Sequence, residues 1–420
     1  MPKLLQISLS VTNRSVGGVA KRIGEVAIEN GWDSYITYTH QTELAESKSQ
    51  IIKISSKLDF YFHALITRLF DLHGEGSIIA TLSLIRKIKK IRPDVIHLHN
   101  IHGYYINYPI LFDYISKYNI PTVWTFHDCW AITGHCTHFD SIGCKRWLNG
   151  CCNCPQKKEY PKSIWLDNSK HNYSKKKSAF TSVKNLTILT VSNWLKDMIS
   201  QSFLSNCQIK VIHNGIDINV FKPIPTDEHI EYRQRGYVLL GVATEWGPGK
   251  GLNEFIELSK NPNYQVILVG ITKDVEPLLS KEIIAVNKTT NVQELVKIYN
   301  SADLFVNPTY NDSYPTVNLE SISCGTPVIT YRTGGSPESL YNNPNDYVSN
   351  KDGVKEYEVG SVVEKGDFLA LCNGIERYRT DSSENKAIRR EKCREWALEN
   401  FDKDIRFKDY IKLYESILNK

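Results

Sequence analysis

Short apolar runs alternate with amphipathic helical stretches along nearly all of the 420 residues, and few folds accommodate that rhythm. Strands are predicted at Lys3–Leu9, Asp94–Leu98, Thr122–Phe126, Thr187–Val191 and Lys210–His213. A second set is predicted at Tyr237–Ala243, Tyr264–Val269, Leu304–Asn307, Pro327–Tyr331 and Ser361–Val363. Between them lie helical patterns, among them Val19–Asn30, Ile78–Ile91, Asn253–Ser259, Val292–Asn300 and Asn318–Cys324. Strand, helix, strand repetition implies parallel sheets with helices on both faces. The rhythm pauses over Asn214–Arg235, a polar stretch with Gly215, Pro223 and Pro225, and then restarts. The class expected is therefore α/β, with two doubly wound, Rossmann-like domains over 1–213 and 214–395 and a ligand at strand C-terminal ends in the cleft between them. The remaining 396–420 reads as a terminal helix that crosses back to the first domain.

Composition closes off several alternatives. Lys and Arg number 51 against 46 acidic residues, a net charge of +5 that does not call for nucleic acid. The sequence contains no apolar run of eighteen or more residues, so a spanning helix is not expected. Met1-Pro2-Lys3-Leu4-Leu5 reads as the start of a buried strand rather than an export signal, which leads to a cytoplasmic expectation. Ten cysteines in such a chain favour burial or metal binding over a disulfide framework.

Three constellations carry chemistry. Gly17-Gly18 follows the first strand and opens a helix; paired glycines let backbone N–H groups approach an anion, or make a tight turn. Asp312 begins the loop Asp312-Ser313-Tyr314-Pro315-Thr316 and Glu320 lies eight positions on, in the helix that the loop enters. One carboxylate could meet sugar hydroxyls and the other ribose hydroxyls, with the N–H groups between them facing a phosphate. By spacing alone a solvated face is the better reading. The third is Cys136-x7-Cys144-x6-Cys151-x2-Cys154, in a segment with little periodic pattern. These four could hold a structural Zn2+, or be reduced buried thiols. His97, His99 and His102 form a metal-like trio, for which buried or acceptor-side roles are the preferred reading.

The Asp312-x7-Glu320 pair followed by Cys324-Gly325-Thr326-Pro327-Val328 resembles the retaining glycosyltransferases of family four, which have the GT-B fold. His213-Asn214-Gly215-Ile216-Asp217, Gly241-Val242-Ala243 leading to Lys250-Gly251-Leu252, and Gly334-Gly335-Ser336-Pro337-Glu338 extend the likeness over the chain. His99-Asn100-Ile101-His102-Gly103 and the cysteine-rich segment are similar to bacterial transferases that build exopolysaccharide or other surface glycans.

The resemblance implies a nucleoside-diphosphate sugar as donor, bound by the second domain, and a saccharide or lipid-linked acceptor, bound by the first. It implies Glu320 on the ribose, Lys250 on the diphosphate, Asp312 near the donor sugar and His127 beside the reacting carbon. Gly17, Gly18, Ser313, Tyr314, Pro315 and Thr316 complete the expected donor contacts. No catalytic metal is expected. Asp312 stands where the family usually has Glu, and Gly247, Pro248 and Gly249 stand where an arginine usually accompanies the lysine. An epimerase of the same fold and a non-catalytic glycan-assembly partner are the rival readings. Lys57–Leu72 mixes Phe60, Tyr61, Phe62, Leu65 and Phe70 with Lys57 and Arg68, and a basic helix follows. This pattern suits peripheral contact with the cytoplasmic face of the inner membrane, or an ordinary amphipathic helix.

Overall fold

The computed structural model describes residues 1–12, 15–39, 44–225 and 236–419. The chain divides into two compact units, one of residues 1–213 with 407–420 and one of residues 214–406.

The first unit is built on a seven-stranded sheet ordered β3-β2-β1-β4-β5-β6-β7. The strands are β1 Lys3–Ile7, β2 Asp33–Tyr38, β3 Gln50–Lys53, β4 Val95–Leu98, β5 Thr122–Phe126, β6 Leu186–Thr190 and β7 Gln208–Val211. Every pairing is parallel. The connecting helices are α1 Ser15–Glu29, α2 Lys57–Phe70, α3 Ile78–Ile91, α4 Tyr108–Lys117, α5 Ser169–Thr181 and α6 Asn193–Ser200. Side chains fix where these helices begin: Ser56, Asn107 and Ser192 each accept an N–H from the first turn of α2, α4 and α6. All of β4 and β5 is buried, which a parallel sheet covered on both faces requires.

The second unit carries an eight-stranded sheet ordered β10-β9-β8-β11-β12-β15-β14-β13. Its strands are β8 Tyr237–Val242, β9 Tyr264–Val269, β10 Ile283–Val286, β11 Leu304–Asn307, β12 Val328–Tyr331, β13 Ser349–Lys351, β14 Val354–Tyr357 and β15 Gly360–Val363. Six of these run parallel; β13 and β14 form an antiparallel edge. The hairpin between them turns on Asp352 and Gly353, at φ 52° and 77°, the two positive values that a tight two-residue turn needs. The helices are α7 Leu252–Leu258, α8 Val292–Ser301, α9 Thr316–Ser323, α10 Phe368–Thr380, α11 Ser383–Asn400 and α12 Lys403–Leu418.

The sequence pattern treats 396–420 as one helix, whereas Trp396 belongs to α11 and donates from its indole to the Ser339 carbonyl at 3.1 Å. From Phe407 onward, α12 joins the first unit. There Phe407, Tyr410, Ile411 and Tyr414 pack with Leu4, Ile23, Trp32 and Val95. Of the polar stretch expected to separate the domains, residues 226–235 lie outside the described residues.

Candidate active site

On the second unit, β11 ends at Asn307 and the chain then runs through Pro308–Pro315 into α9. The turn Pro248–Lys250 is stitched to this run, because the Tyr310 N–H donates to the Gly249 carbonyl at 2.9 Å. Gly251, at φ +74°, closes the turn; a Cβ there would meet Pro308 Cγ at 2.4 Å, so only glycine lets the segments touch. The result brings two predicted residues together. Lys250 Nζ lies 2.9 Å from Asp312 Oδ2 and donates to the Asn311 carbonyl at 3.3 Å. Asp312, despite its short side chain, reaches the lysine and also accepts from the Tyr314 N–H at 3.2 Å.

Helix α9 starts at Thr316, with Pro315 as its N-cap, no side-chain cap and no acid in its first turn. Pro315 has no N–H to offer, so Thr316 and Val317 supply the first-turn amides. An uncapped helix start carries partial positive charge, which favours an anion. Ser313 is buried and its hydroxyl has no partner among the described residues. Tyr314 is also buried, and burial raises its phenol well above the ordinary range. Glu320, one turn further, is half-buried and accepts from the Tyr299 hydroxyl at 2.8 Å.

Below α9, Asn318 donates to Ser339 Oγ at 3.0 Å and accepts from Asn307 at 2.8 Å. Thr330 and Ser336 hydroxyls pair at 2.7 Å in the same buried network. This network anchors the Gly334–Glu338 segment beside the helix start. Tyr299 and Asn318 are supporting residues that the linear pattern could not reveal, since each acts across elements distant in sequence. A polar Asn between Val317 and Leu319 is the one signal the sequence offered for Asn318.

The first unit holds the remaining predicted residues. Gly17 and Gly18 lie inside the first turn of α1 rather than before it. A Cβ at Gly17 would stand 2.6 Å from both Ser10 Oγ and Thr12 Oγ1, so that glycine admits the loop after β1 against the helix. His127 follows the last residue of β5 directly. Burial lowers its pKa to about 4, with Asp128 opposing and His102 adding to the effect, so the imidazole is neutral at neutral pH. Its Nε2 is buried with no partner among the described residues, and its ring stacks 6.2 Å from His99. Asp128 accepts from His102 Nε2 at 2.8 Å and from the Trp130 N–H at 2.8 Å. Burial alone would raise this carboxyl; the His102 imidazole outweighs it and holds the group well below the usual range.

The histidine trio does not converge. His97 bonds Tyr414 and Thr125 at 2.6 and 2.7 Å, His99 bonds Gln6 at 3.1 Å, and His102 faces Asp128. Cys136, Cys144, Cys151 and Cys154 do gather around one small cavity. Even so, among the described residues no three His, Cys, Asp or Glu side chains are already arranged to hold a metal ion.

Helix α2 turns its polar residues inward. His63 and Thr67 are buried, while Leu58, Tyr61, Phe62 and Leu65 are exposed. Ile78, Ile79 and Leu82 of α3 are exposed as well. So are Ile164, Trp165 and Leu166, whose segment is tied to the end of α2 by the Ile164 N–H donating to the Arg68 carbonyl at 2.8 Å. Arg68, Arg86, Lys89, Lys90 and Lys162 are exposed around or beyond this surface. Among the described residues no helix is long and apolar enough to cross a membrane.

Comparison with known proteins agrees with this geometry. Residues 19–220 match the family model for Glycosyltransferase Family 4, and residues 247–380 match that for Glycosyl transferases group 1. WcaC of Escherichia coli (strain K12), a glycosyl transferase assigned to colanic acid biosynthesis, is 24% identical over 365 residues, covering 83% of this chain and 88% of that protein. Among solved structures, sucrose-phosphate synthase from Thermosynechococcus elongatus superposes with a TM-score of 0.73 at 15% identity, covering 100% of both chains. Anabaena HepE in complex with UDP-glucose superposes with a TM-score of 0.60 at 15% identity, covering 99% of each chain. With both family models matched in order along the chain and the GT-B architecture present, the protein belongs to glycosyltransferase family 4.

Proposed function

We propose that the protein is a retaining transferase that moves a sugar from a nucleoside-diphosphate donor to a saccharide or lipid-linked acceptor during synthesis of a bacterial surface polysaccharide. The observation that carries this is the cluster of Lys250, Asp312, the open start of α9 and Glu320 on one unit. Glu320, held by Tyr299, accepts from the ribose hydroxyls. The α9 amides and Lys250 take the diphosphate, where positive charge offsets the charge that develops on the leaving group. Asp312 and the buried Ser313 hydroxyl then orient the sugar. Family membership supports the retaining course, and the relation to WcaC supports the surface-glycan setting. UDP-glucose in the related HepE makes uridine diphosphate sugars the first donors to try.

For the first unit the proposal is narrower: His127 presents a neutral imidazole to the transfer chemistry, with Asp128 and His102 fixing the backbone next to it. The charge needed at the diphosphate is assigned to Lys250 and backbone N–H groups, so transfer should continue in EDTA. Metal bound by the cysteine-rich loop is assigned a structural role only. The apolar face of α2 with its basic surroundings is assigned to the cytoplasmic leaflet of an anionic membrane, which would bring the enzyme to a lipid-linked acceptor.

The test is a thermal-shift screen of the purified chain against UDP- and GDP-sugars, repeated with Glu320→Ala. A ligand that binds only the native state raises the melting temperature by mass action. A shift with one nucleotide family, reduced in the variant as affinity drops roughly 10- to 100-fold, is expected. A shift without turnover over a broad acceptor panel would favour the non-catalytic assembly role, a reading that Gly247 and Gly249 in place of a second cation keep in view.

A further inference from the structure

We propose that the loop after β5 is built around a single Zn2+ bound by the thiolates of Cys136, Cys144, Cys151 and Cys154, with Lys176 and Arg146 balancing its charge. This deepens the structural role assigned to the loop and is independent of the donor chemistry.

Between Phe126 and Ser169 the only regular structure among the described residues is three short turns of 3-10 helix. Such a length of irregular chain in a compact unit needs a cross-link or a ligand to hold it. Cys136, Cys144, Cys151 and Cys154 all line one cavity of ≈ 10 Å³, as does Cys152. Cys136 and Cys154 hydrogen-bond to one another. Backbone N–H groups already point at two of the sulfurs, from Gly134 to Cys151 and from Gln156 to Cys154. The second of these spans two residues after a Cys-x2-Cys pair, as in knuckle-type sites. Gly134 cannot be replaced, because a Cβ would stand 2.0 Å from the Ser169 carbonyl and 2.8 Å from Cys151 Cβ.

Charge supplies the second line of argument. Lys176 is fully buried, yet its ammonium bonds only neutral groups: the Trp130 and Thr133 carbonyls at 2.7 and 3.0 Å, and the Trp130 ring at 3.5 Å. A buried cation of this kind needs an anion nearby. Cys151 and Cys136 stand close enough to act on it, as do Asp71 and Asp128. Bound to a metal as thiolates, the two sulfurs would supply that anion. Four thiolates and one Zn2+ leave a net charge of −2, and Arg146 lines the same cavity as the second cation.

His135 provides the third. Its Nδ1 lies 2.6 Å from the buried Asp71 carboxylate, while Nε2, equally buried, has no partner among the described residues and lines the cavity wall. A buried nitrogen without a partner at that wall marks a polar site rather than an apolar void. On binding, the Cys136–Cys154 hydrogen bond gives way to two metal–sulfur bonds, and each thiol releases its proton to solvent.

The experiment is zinc analysis of the full-length chain, purified under reducing conditions and again after reconstitution with ZnCl2, for the wild type, Cys144→Ser, Cys154→Ser and His135→Asn. Substitution with Co2+ adds a spectroscopic signature of tetrahedral thiolate ligation. About one zinc per chain is expected, lost in both serine variants and kept in His135→Asn. Absence of zinc after reconstitution, with all four thiols open to alkylation in the native fold, overturns the site. Zinc kept in Cys144→Ser and lost in His135→Asn overturns the four-thiolate ligand set. Donor-induced thermal shifts on the same variants separate these outcomes from failure of the transferase reading.

Discussion

At the scale of single residues, the proposed donor site has one cation, Lys250, where two would serve a diphosphate better. Lys250 is held by Asp312 at 2.9 Å, so its charge is shared with a carboxylate before any donor arrives. Gly249 offers a place to add the second cation. A Cβ there meets nothing within 4 Å, and the backbone is not in the left-handed region that would exclude a side chain. Gly249→Arg should therefore fold normally and tighten donor binding by about 1 kcal/mol, roughly fivefold, with a steeper salt dependence. Titration calorimetry with the donor found in the thermal screen measures this directly. Unchanged or weaker affinity would mean that backbone N–H groups already occupy the position where the guanidinium would act. Asp312→Ala makes the converse case. It frees Lys250 yet removes the proposed sugar contact, so turnover should fall at least tenfold while nucleotide affinity holds or rises. A parallel loss of nucleotide affinity would show that Asp312 does no more than support the loop.

At the scale of elements, α2 is the one whose two faces contradict ordinary burial, with His63 and Thr67 inside and Tyr61 and Phe62 outside. Both aromatic residues are more than 60% exposed, at 66% and 62%, so replacing them costs the fold little. Tyr61→Ser with Phe62→Ser should leave the melting temperature near its original value. The same pair should weaken binding to vesicles containing phosphatidylglycerol by at least tenfold, since each large apolar side chain buried in lipid contributes roughly 1.5–3 kcal/mol. Flotation that is unaffected by the pair would return α2 to the status of an ordinary surface helix. The periodic pattern located α2 and α3 well because a helix writes its faces at fixed intervals in its own sequence. β5, β9 and β11 were legible for the same reason, as short runs buried on both sides. β2, β3 and β10 were missed because mixed runs such as Asp33–Tyr38 and Gln50–Lys53 take their strand form from neighbours in the sheet. β13 and β14 carried the Asp352-Gly353 turn signal in plain view, but Ser349–Lys351 has no apolar content to mark it as a strand. In the proposed donor cluster, Lys250, Asp312 and Glu320 came from motif order, whereas Tyr299 beneath Glu320 required the packing of α8 on α9.

At the scale of the molecule, the neutral buried histidines among the described residues are concentrated in the first unit. Burial lowers the pKa of His63 to about 4 and that of His97 to about 3, and pushes His73 and His99 well below the ordinary value. His127 adds a fifth at about 4. Each folded pKa lies below the unfolded value of about 6.5, so the unfolded chain binds more protons as the pH falls. Above about pH 6.5 the difference vanishes and these groups leave stability independent of pH. Below it, each can remove up to about 1.4 kcal/mol per pH unit until its folded form also protonates. The depressed carboxylates of the second unit, Asp217, Glu376 and Asp381, act in the opposite sense and at lower pH. They stabilise above the ordinary carboxylate range, and that stabilisation fades only as pH drops through and below it. Between pH 6.5 and 5 the first unit should therefore lose several kcal/mol while the second is nearly unchanged. Calorimetry at constant ionic strength should show the melting temperature flat from pH 8 to 7 and falling steeply below 6.5. Hydrogen exchange at pH 5.5 should open the β4–β5 region before β8–β12. Acid could also strip metal from the cysteine-rich loop, so the series is repeated with Cys154→Ser, whose acid sensitivity should persist if the histidines cause it. A melting temperature independent of pH down to 5 in both proteins would mean that these imidazoles reach solvent protons without unfolding. The neutral His127 assigned to the transfer chemistry would then have to be abandoned as well.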